Sequence, residues 1–421
     1  MAPGVVRVLL SALALLGGAE AGRAADGDPR VVIALKEADE RRQALEPKGV
    51  PVAGMMLHGG IEARLTFDDN VIAAPDPVPD RVVTVAPALT LHSGPHPWDV
   101  KAWAGAEEVR HADQSAFDHR NLRLGTRLAA ESWDRSRAHA GLEWSRRHEL
   151  PGTTETLGAA SLPVPVDRLT ADGATVLRHG RFLIGGSTAL TRLRYQDVAA
   201  IGGGSIDQRH RDRLEVAVRQ RAGVSPTSML DLFVESGQGA RLYERRTPLL
   251  GLDRSSQSAD VGVGAALDMT ERMAGEVVWG RSRRQYTSPL FAPLSASVHR
   301  ARVAVSLTTL TALTGRMWRS VEETGAVLQA AAIESGWRLG IEHELLRQVV
   351  LSADGGRTER RYVGLAGDLR EEDIALRGGA EYRVDHRWFV GLDGRWDNRD
   401  STVPGGAFSR TRVTLSLGAR L

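Results

Sequence analysis

The last segment of the chain restricts its fold more than any other. From Arg410 to Leu421 the residues alternate strictly between two faces. One face carries only aliphatic side chains, namely Val413, Leu415, Leu417, Ala419 and Leu421. The other face carries arginines with small or polar residues between them. A strand with this pattern suits a barrel wall that separates lipid from water.

The first segment of the chain is typical of a secreted protein. One basic residue, Arg7, precedes an apolar run from Val8 to Gly18, and small residues follow up to Ala24. This run is too short to span a bilayer, which takes about 20 apolar residues. We therefore predict a cleaved signal peptide over residues 1–24 and a mature protein outside the cytoplasm.

Residues 25–54 are predicted to form a short periplasmic segment. Within it, residues 31–45 have helix-forming side chains and charges one helical turn apart, and Pro47 and Pro51 end this pattern. After Gly54, alternating segments of about ten residues recur up to the last residue, with turn residues between them. We therefore predict a barrel over residues 55–421.

The predicted fold is all-β: a transmembrane, antiparallel, up-and-down barrel of about 18 strands, within roughly 16–18. The predicted strands are 55–67, 81–93, 98–110, 119–132, 138–148, 168–177, 182–195, 209–222, 228–242, 258–269, 273–286, 298–307, 311–321, 329–342, 348–359, 373–383, 388–398 and 410–421. In 182–195 and 273–286 the pattern leaves open which face is apolar. The connections alternate between long and short, as expected for extracellular loops and periplasmic turns. A soluble β-sandwich gives no such alternation.

Composition excludes several classes of protein. The chain has no cysteine, which rules out disulfides, thiolate metal sites and cysteine nucleophiles. The formal net charge is only +2, and the basic residues are spread along strands, so we predict no nucleic-acid binding. We predict no catalytic residue, metal site or cofactor.

Arginines on the polar face of predicted strands are the candidate pore-lining residues. They are Arg211, Arg213, Arg219, Arg221, Arg300, Arg302, Arg410, Arg412 and Arg420. Rings of arginine select anions in pores. Alternatively, these arginines pair with Asp and Glu on neighbouring strands and fill a wet interior. The near-neutral total charge favours pairing.

Two smaller features concern the strand ends. Aromatic residues near predicted strand ends are expected at the membrane interface, namely Trp133, Tyr195, Tyr243, Tyr286 and Trp388.

The run Asp68-Asp69-Asn70 has the oxygen donors of a calcium site. Because it lacks calcium-loop spacing, a turn that ends the first strand is favoured.

Several short sequence segments of the chain resemble those of the putative beta-barrel porin family of type 2. They are Phe67-Asp-Asp-Asn70, Gly223-Val-Ser-Pro-Thr227, Leu232-Phe-Val-Glu235, Arg319-Ser-Val-Glu-Glu-Thr324, His343-Glu-Leu-Leu346 and the ending Leu415 to Leu421. The resemblance covers residues 52–421 and implies a bacterial outer-membrane barrel. For some members it also implies a role beside exopolysaccharide or capsule export. One departure is Leu421, where outer-membrane strands commonly end in phenylalanine as an assembly signal.

Three functions are compatible with these observations. The first is a channel for passive passage of hydrophilic solutes. The second is a non-conducting accessory barrel in exopolysaccharide or capsule export, and the third, ranked last, is an outer-membrane hydrolase. The expected partners are outer-membrane lipid, the barrel-assembly machinery and, in the second case, a polysaccharide or the proteins of an export complex.

Overall fold

A computed structural model gives the structure of most of the chain. It describes residues 47–421 apart from 95–97, 133–135, 152–161, 201–202, 249, 270–271, 323 and 325–327. The predicted signal peptide and the predicted helix at 31–45 lie outside the described residues. Among the described residues, no helix is long and apolar enough to cross a membrane.

Eighteen antiparallel strands form a closed barrel. In chain order they are β1 Met55–Asp68, β2 Asp80–His92, β3 Asp99–His111, β4 His119–Glu131, β5 Arg137–Glu149, β6 Val164–His179, β7 Phe182–Tyr195, β8 Arg213–Val224, β9 Leu230–Tyr243, β10 Ser256–Met269, β11 Met273–Tyr286, β12 Leu294–Thr308, β13 Thr311–Glu322, β14 Gln329–Leu346, β15 Val349–Gly364, β16 Arg370–Arg383, β17 Trp388–Ser401 and β18 Phe408–Arg420. Each strand pairs with its neighbours in sequence, and β18 pairs with β1 to close the wall. The predicted fold class is confirmed.

The connections differ in length between the two ends of the barrel. One end carries the turns 93–98, 132–136, 180–181, 225–229, 270–272, 309–310, 347–348 and 384–387. The other carries connections that are longer on average, namely 69–79, 112–118, 150–163, 196–212, 244–255, 287–293, 323–328, 365–369 and 402–407. Because long loops of outer-membrane barrels are extracellular, we name the second end the external end and the first the short-turn end.

Strand register and exposure define an inward and an outward face. From Glu276 to Gln285 in β11, buried and exposed residues alternate at every position. Val277 and Trp279 are 51% and 60% exposed, so they face lipid, whereas Glu276 and Val278 are buried and face the lumen. β7 alternates in the same way at both of its ends. Both strands therefore have one definite lipid-facing side, which the sequence pattern left open.

Large aromatic side chains on the inward face lie flat against the wall. Each covers the glycine directly opposite on the next strand, in the pairs Trp103 with Gly125, Phe233 with Gly264, Trp318 with Gly336 and Phe389 with Gly418. The ring packs over the backbone of the glycine, which has no side chain of its own to cover that position of the sheet. The rings therefore line the wall and leave the centre of the lumen free.

Replacing Gly418 by alanine is expected to destabilise the barrel by about 2 kcal/mol. An added Cβ would lie 2.0 Å from the ring of Phe389, so the ring must leave the wall. Resistance of the folded form to heat, followed by its mobility in SDS electrophoresis, measures the loss. The matched control is Gly378→Ala, where an added Cβ meets no atom within 4 Å. Equal heat resistance of the two variants would contradict the expectation.

The predicted interfacial rings were partly wrong. Tyr195 is 3% exposed and faces the lumen, and Tyr243 and Tyr286 lie on the same inward face. Each of these rings packs against arginines or apolar loop residues at the external mouth. Trp388 is 49% exposed and faces outward at the short-turn end. Trp133 lies outside the described residues.

Candidate functional site in the barrel lumen

The lumen side of β8 to β12 holds a network of arginines around two buried glutamates. Arg221 donates to Glu235 Oε2 and Glu276 Oε2, both at 2.9 Å. Arg300 donates to Glu235 Oε2 at 2.7 Å and to Glu276 Oε1 at 3.2 Å. Arg302 Nη2 lies 3.3 Å from Glu276 Oε1. Arg219 also contacts Glu235, so four arginines share two carboxylates and this part of the wall keeps a net positive charge.

A second network occupies the lumen side of β14 to β17. Arg360 donates to Glu334 Oε2 at 3.0 Å and also contacts Asp373. Arg399 donates from Nε to Asp373 Oδ1 at 2.6 Å. Trp318 donates its indole N–H to Glu334 Oε1 at 2.7 Å. The oxygen atoms of these carboxylates thus accept hydrogen bonds from neighbouring side chains in the wall.

Most of the candidate arginines lie on the inward face, and each of these contacts a carboxylate. Besides the network of Arg221, Arg300 and Arg302, the contacts are Arg213 with Glu215, Arg219 with Glu235, Arg410 with Asp68, Arg412 with Asp397 and Arg420 with Glu381. Each of these arginines therefore has a carboxylate beside it, although several of them share one carboxylate. A role in selecting solutes remains a prediction for them.

Arg211 does not lie on a strand, contrary to the predicted strand 209–222. Residues Arg209–Arg211 form a 3-10 turn, closed by a hydrogen bond from Arg211 N to the Gln208 carbonyl at 3.0 Å. The guanidinium of Arg211 stacks 3.9 Å from the ring centre of Tyr195 and donates to Glu149 Oε2 at 2.6 Å. This arginine therefore fastens an external loop to the barrel mouth.

A different set of basic residues lies on the lumen side of β3 to β6. We name it the basic strip, and it consists of Lys101, Arg123, Arg127, Arg147 and Arg168. Among the described residues, no carboxylate lies within ion-pair distance of its members except Asp172, which is 3.7 Å from Arg127. These residues are not among the predicted pore-lining arginines, because nothing in the local pattern separates a paired arginine from an unpaired one.

Register shows that the basic strip runs along the height of the wall. Lys101 lies opposite Arg127 near the short-turn end. Arg123 lies four residues from Arg127 on β4, or about 13 Å along the strand. Ser145 separates Arg123 from Arg168 in one cross-strand row, and Arg147 lies nearer the external end. The strip is thus a column of basic side chains along the wall, with the inward-facing carboxylate of Glu143 between two of its rows.

Water reaches inward-facing side chains on all sides of the barrel. The side chains of Arg127, Arg219, Arg338 and Arg377 are 37%, 38%, 37% and 35% exposed, although all four point inward. They belong to β4, β8, β14 and β16, which are spread around the circumference. The described side chains therefore do not fill the lumen.

External loops cover part of the mouth. In the loop 196–212, Val198 packs against Val164, Val166 and Leu193, which are inward-facing residues of β6 and β7. On another side, Arg284 of β11 donates to the Val321 carbonyl of β13 at 3.1 Å. At the external end, a loop residue and a cross-strand side chain thus pack against the lumen side of the wall.

The acidic run at the end of β1 forms a turn, as favoured from the sequence. Asn70 N donates to Asp68 Oδ1 at 3.0 Å, and Asp68 also accepts from Arg410. The Asn70 amide nitrogen donates to the Ala74 and Ser409 carbonyls at 2.8 and 2.9 Å. Within the part of the chain that the structure describes, no cluster of three potential metal ligands is present.

Comparison with protein families decides the class of this barrel. The sequence profile of the family described as putative beta-barrel porin 2 matches residues 43–421. The chain belongs to this porin family. Membership places this porin-family barrel among the outer-membrane proteins. No curated protein sequence matches it.

Solved structures similar to this porin-family chain are distant in sequence. The crystal structure of Pseudomonas aeruginosa OpdK with vanillate is 10% identical, with a TM-score of 0.44 over 87% of this chain and 99% of that chain. Pseudomonas aeruginosa OpdO is 13% identical, with a TM-score of 0.41 over 90% and 98%. The siderophore receptor PirA from the same organism is 9% identical, with a TM-score of 0.41 over 86% and 80%.

Proposed function

We propose that this barrel is a water-filled channel for passive passage of hydrophilic solutes, with a preference for anions. The observation that carries the proposal is a lumen whose inward-facing side chains stay exposed around the circumference. A barrel of eighteen strands is wide enough to leave an aqueous channel. Membership in a porin family supports the same function.

The preference for anions rests on the unequal pairing of charges around the lumen. On β8 to β12 and β14 to β17, arginines lie within ion-pair distance of carboxylates. Among the residues that the structure describes, the basic strip has no carboxylate within ion-pair distance apart from Asp172, which contacts Arg127. Cations without an ion-pair partner along an aqueous path raise the local concentration of anions.

Single-channel recording on the purified, folded protein in a planar lipid bilayer tests this function. We expect discrete conductance steps. Across a potassium chloride gradient, we expect a reversal potential with the same sign as the chloride equilibrium potential. The preference should weaken as ionic strength rises, because salt screens the basic strip over a Debye length of about 10 Å at 0.1 M. A folded barrel that inserts but never conducts would overturn the channel function. A reversal potential with the same sign as the potassium equilibrium potential would overturn only the preference for anions.

The alternatives gain little from the structure. A non-conducting accessory barrel would need a filled lumen, and the exposed inward side chains argue against one among the described residues. Nothing in the fold or in the similar proteins supports a link to polysaccharide export. The porin family and the fold favour a non-enzymatic channel over a hydrolase.

A further inference from the structure

In the strands that the structure describes, outward-facing charged residues lie at only one end of the barrel wall. In the described strands they are Arg81, Glu108, Arg110, Arg120, Arg146, Asp167, Arg192, Arg194, Arg281, Arg283, Arg319, Arg357, Glu359, Arg361, Arg370, Glu372 and Asp400. All of them lie toward the external end of their strands, and we name this ring the charged collar. Toward the short-turn end, the outward positions of the described strands carry apolar or uncharged residues such as Leu177, Leu307 and Trp388.

The charged collar marks the external boundary of the hydrocarbon layer. An arginine facing lipid costs about 2 to 4 kcal/mol at the bilayer midplane and about 0 to 1 kcal/mol near the interface. Directly below the collar, Trp279 and Met317 are 60% and 50% exposed on the same face. The collar therefore lies at the level of the lipid headgroups in the outer leaflet.

Around much of the collar, each arginine has a carboxylate partner. The pairs are Arg120 with Glu108 at 2.5 Å, Arg146 with Asp167 at 2.7 Å, Arg192 with Glu244 at 2.7 Å and Arg357 with Glu372 at 2.7 Å. These pairs are internally neutral. They give an anionic headgroup little reason to prefer these positions.

On β11, the arginines of the collar have no carboxylate partner among the described residues. Arg281 and Arg283 are exposed, and Ser297 and Ser295 lie directly opposite them on β12. On the β10 side, Val261 faces Arg281. Within the described part of the chain, no carboxylate lies within ion-pair distance of either arginine. Two uncompensated charges thus face outward, about 7 Å apart along the strand.

The next strands extend this basic surface. His299 of β12 lies opposite Arg319 of β13, and both are on the outward face. Arg319 donates to the hydroxyl of Ser335 at 3.0 Å and so keeps its full charge. The sector thus presents guanidinium groups and serine hydroxyls together, and both donate hydrogen bonds to phosphate oxygens.

We propose that Arg281 and Arg283, with Arg319 beside them, bind the phosphate headgroup of an anionic lipid in the outer leaflet. The guanidinium forks would hold the phosphate, and the acyl chains would lie on Trp279 and Met317 below. Arginine suits this role because its planar fork matches two phosphate oxygens at once. The site faces the membrane and is independent of the lumen and its ions.

Binding of two matched glycolipids tests the proposal. Native mass spectrometry of the purified barrel in a nonionic detergent would compare diphosphoryl lipid A with its dephosphorylated form. We expect the wild type to bind the phosphorylated lipid more tightly. The double variant R281Q/R283Q should bind it about thirtyfold more weakly, because each arginine near anionic headgroups contributes roughly 1 kcal/mol. The charge-conserving variant R281K/R283K should retain part of the binding.

A second double variant is the control for net charge. R192Q/R357Q removes the same charge from the same collar, but at arginines that already have carboxylate partners. It should leave lipid binding unchanged. Equal loss in the two double variants, or equal affinity for the two lipids, would overturn the proposal. Displacement of the lipid by an equal concentration of inorganic phosphate would show a free-phosphate site and would overturn it as well.

Discussion

Replacing Glu276 by glutamine is expected to lower the free energy of unfolding by about 3 kcal/mol. The Glu276 side chain is 2% exposed and lies within ion-pair distance of Arg221, Arg300 and Arg302. Glutamine keeps the shape but removes the charge, so three guanidinium groups crowd around a neutral amide. Urea unfolding of the barrel in lipid vesicles, followed by tryptophan fluorescence, measures the change.

Two further variants separate the loss of this network from the loss of any ion pair. Glu372→Gln removes a carboxylate that is 38% exposed beside an arginine that is 48% exposed, and such surface pairs contribute about 0 to 1 kcal/mol. It should unfold like the wild type. Adding Arg302→Gln to the Glu276 variant should restore part of the stability, because it removes one of the crowded charges. An unchanged unfolding midpoint for Glu276→Gln would show that lumen water already screens the network.

Reversing the charge of the basic strip is expected to convert the channel from anion to cation preference. In the variant R123E/R147E, two inward-facing cations that have no ion-pair partner among the described residues become anions. Each charge close to a passing ion in water contributes about 1 kcal/mol, or roughly fivefold in relative permeability. The reversal potential across a potassium chloride gradient should therefore change sign.

The control for this change removes a neutral pair from the same lumen. R377Q/D393N deletes an arginine and its carboxylate partner, which lie 2.6 Å apart. Because the pair has no net charge, the reversal potential should stay at the wild-type value. If instead the two variants shifted it equally, selectivity would come from another part of the lumen, such as the mouth. Conductance steps in both variants confirm that the barrels are folded.

Strand positions could be predicted well from the sequence because lipid on one side and water on the other force alternation. The predicted ends of β7 and β11 match the observed strands Phe182–Tyr195 and Met273–Tyr286. The alternation of apolar and polar residues predicts the end of a strand less well where strand pairing continues past a β-bulge. β14 reaches Leu346, beyond the predicted end at 342, because its pairing with β15 continues through a bulge near Glu344.

The candidate site was less predictable, because the partner of a lumen arginine depends on strands far away in sequence. Arg300 donates to Glu235, which is 65 residues away, and nothing near either residue indicates the contact. The same limit hid the basic strip, since Arg123 and Arg147 look like any other inward arginine. Which charges stay uncompensated emerges only when register and barrel closure bring distant strands together.

Closure of the wall by β1 and β18 makes the whole barrel depend on its two terminal strands. The hydroxyls of Thr66 and Thr414 lie 2.9 Å apart across this seam, although the residues are 348 positions apart in the chain. Until β18 is in place, β1 and β17 each present an open row of backbone donors and acceptors, which is a template for pairing with other chains. Contacts this distant also form slowly. A chain cut short before Phe408 would therefore keep most of its strands and still expose two unpaired edge strands that can pair with other chains.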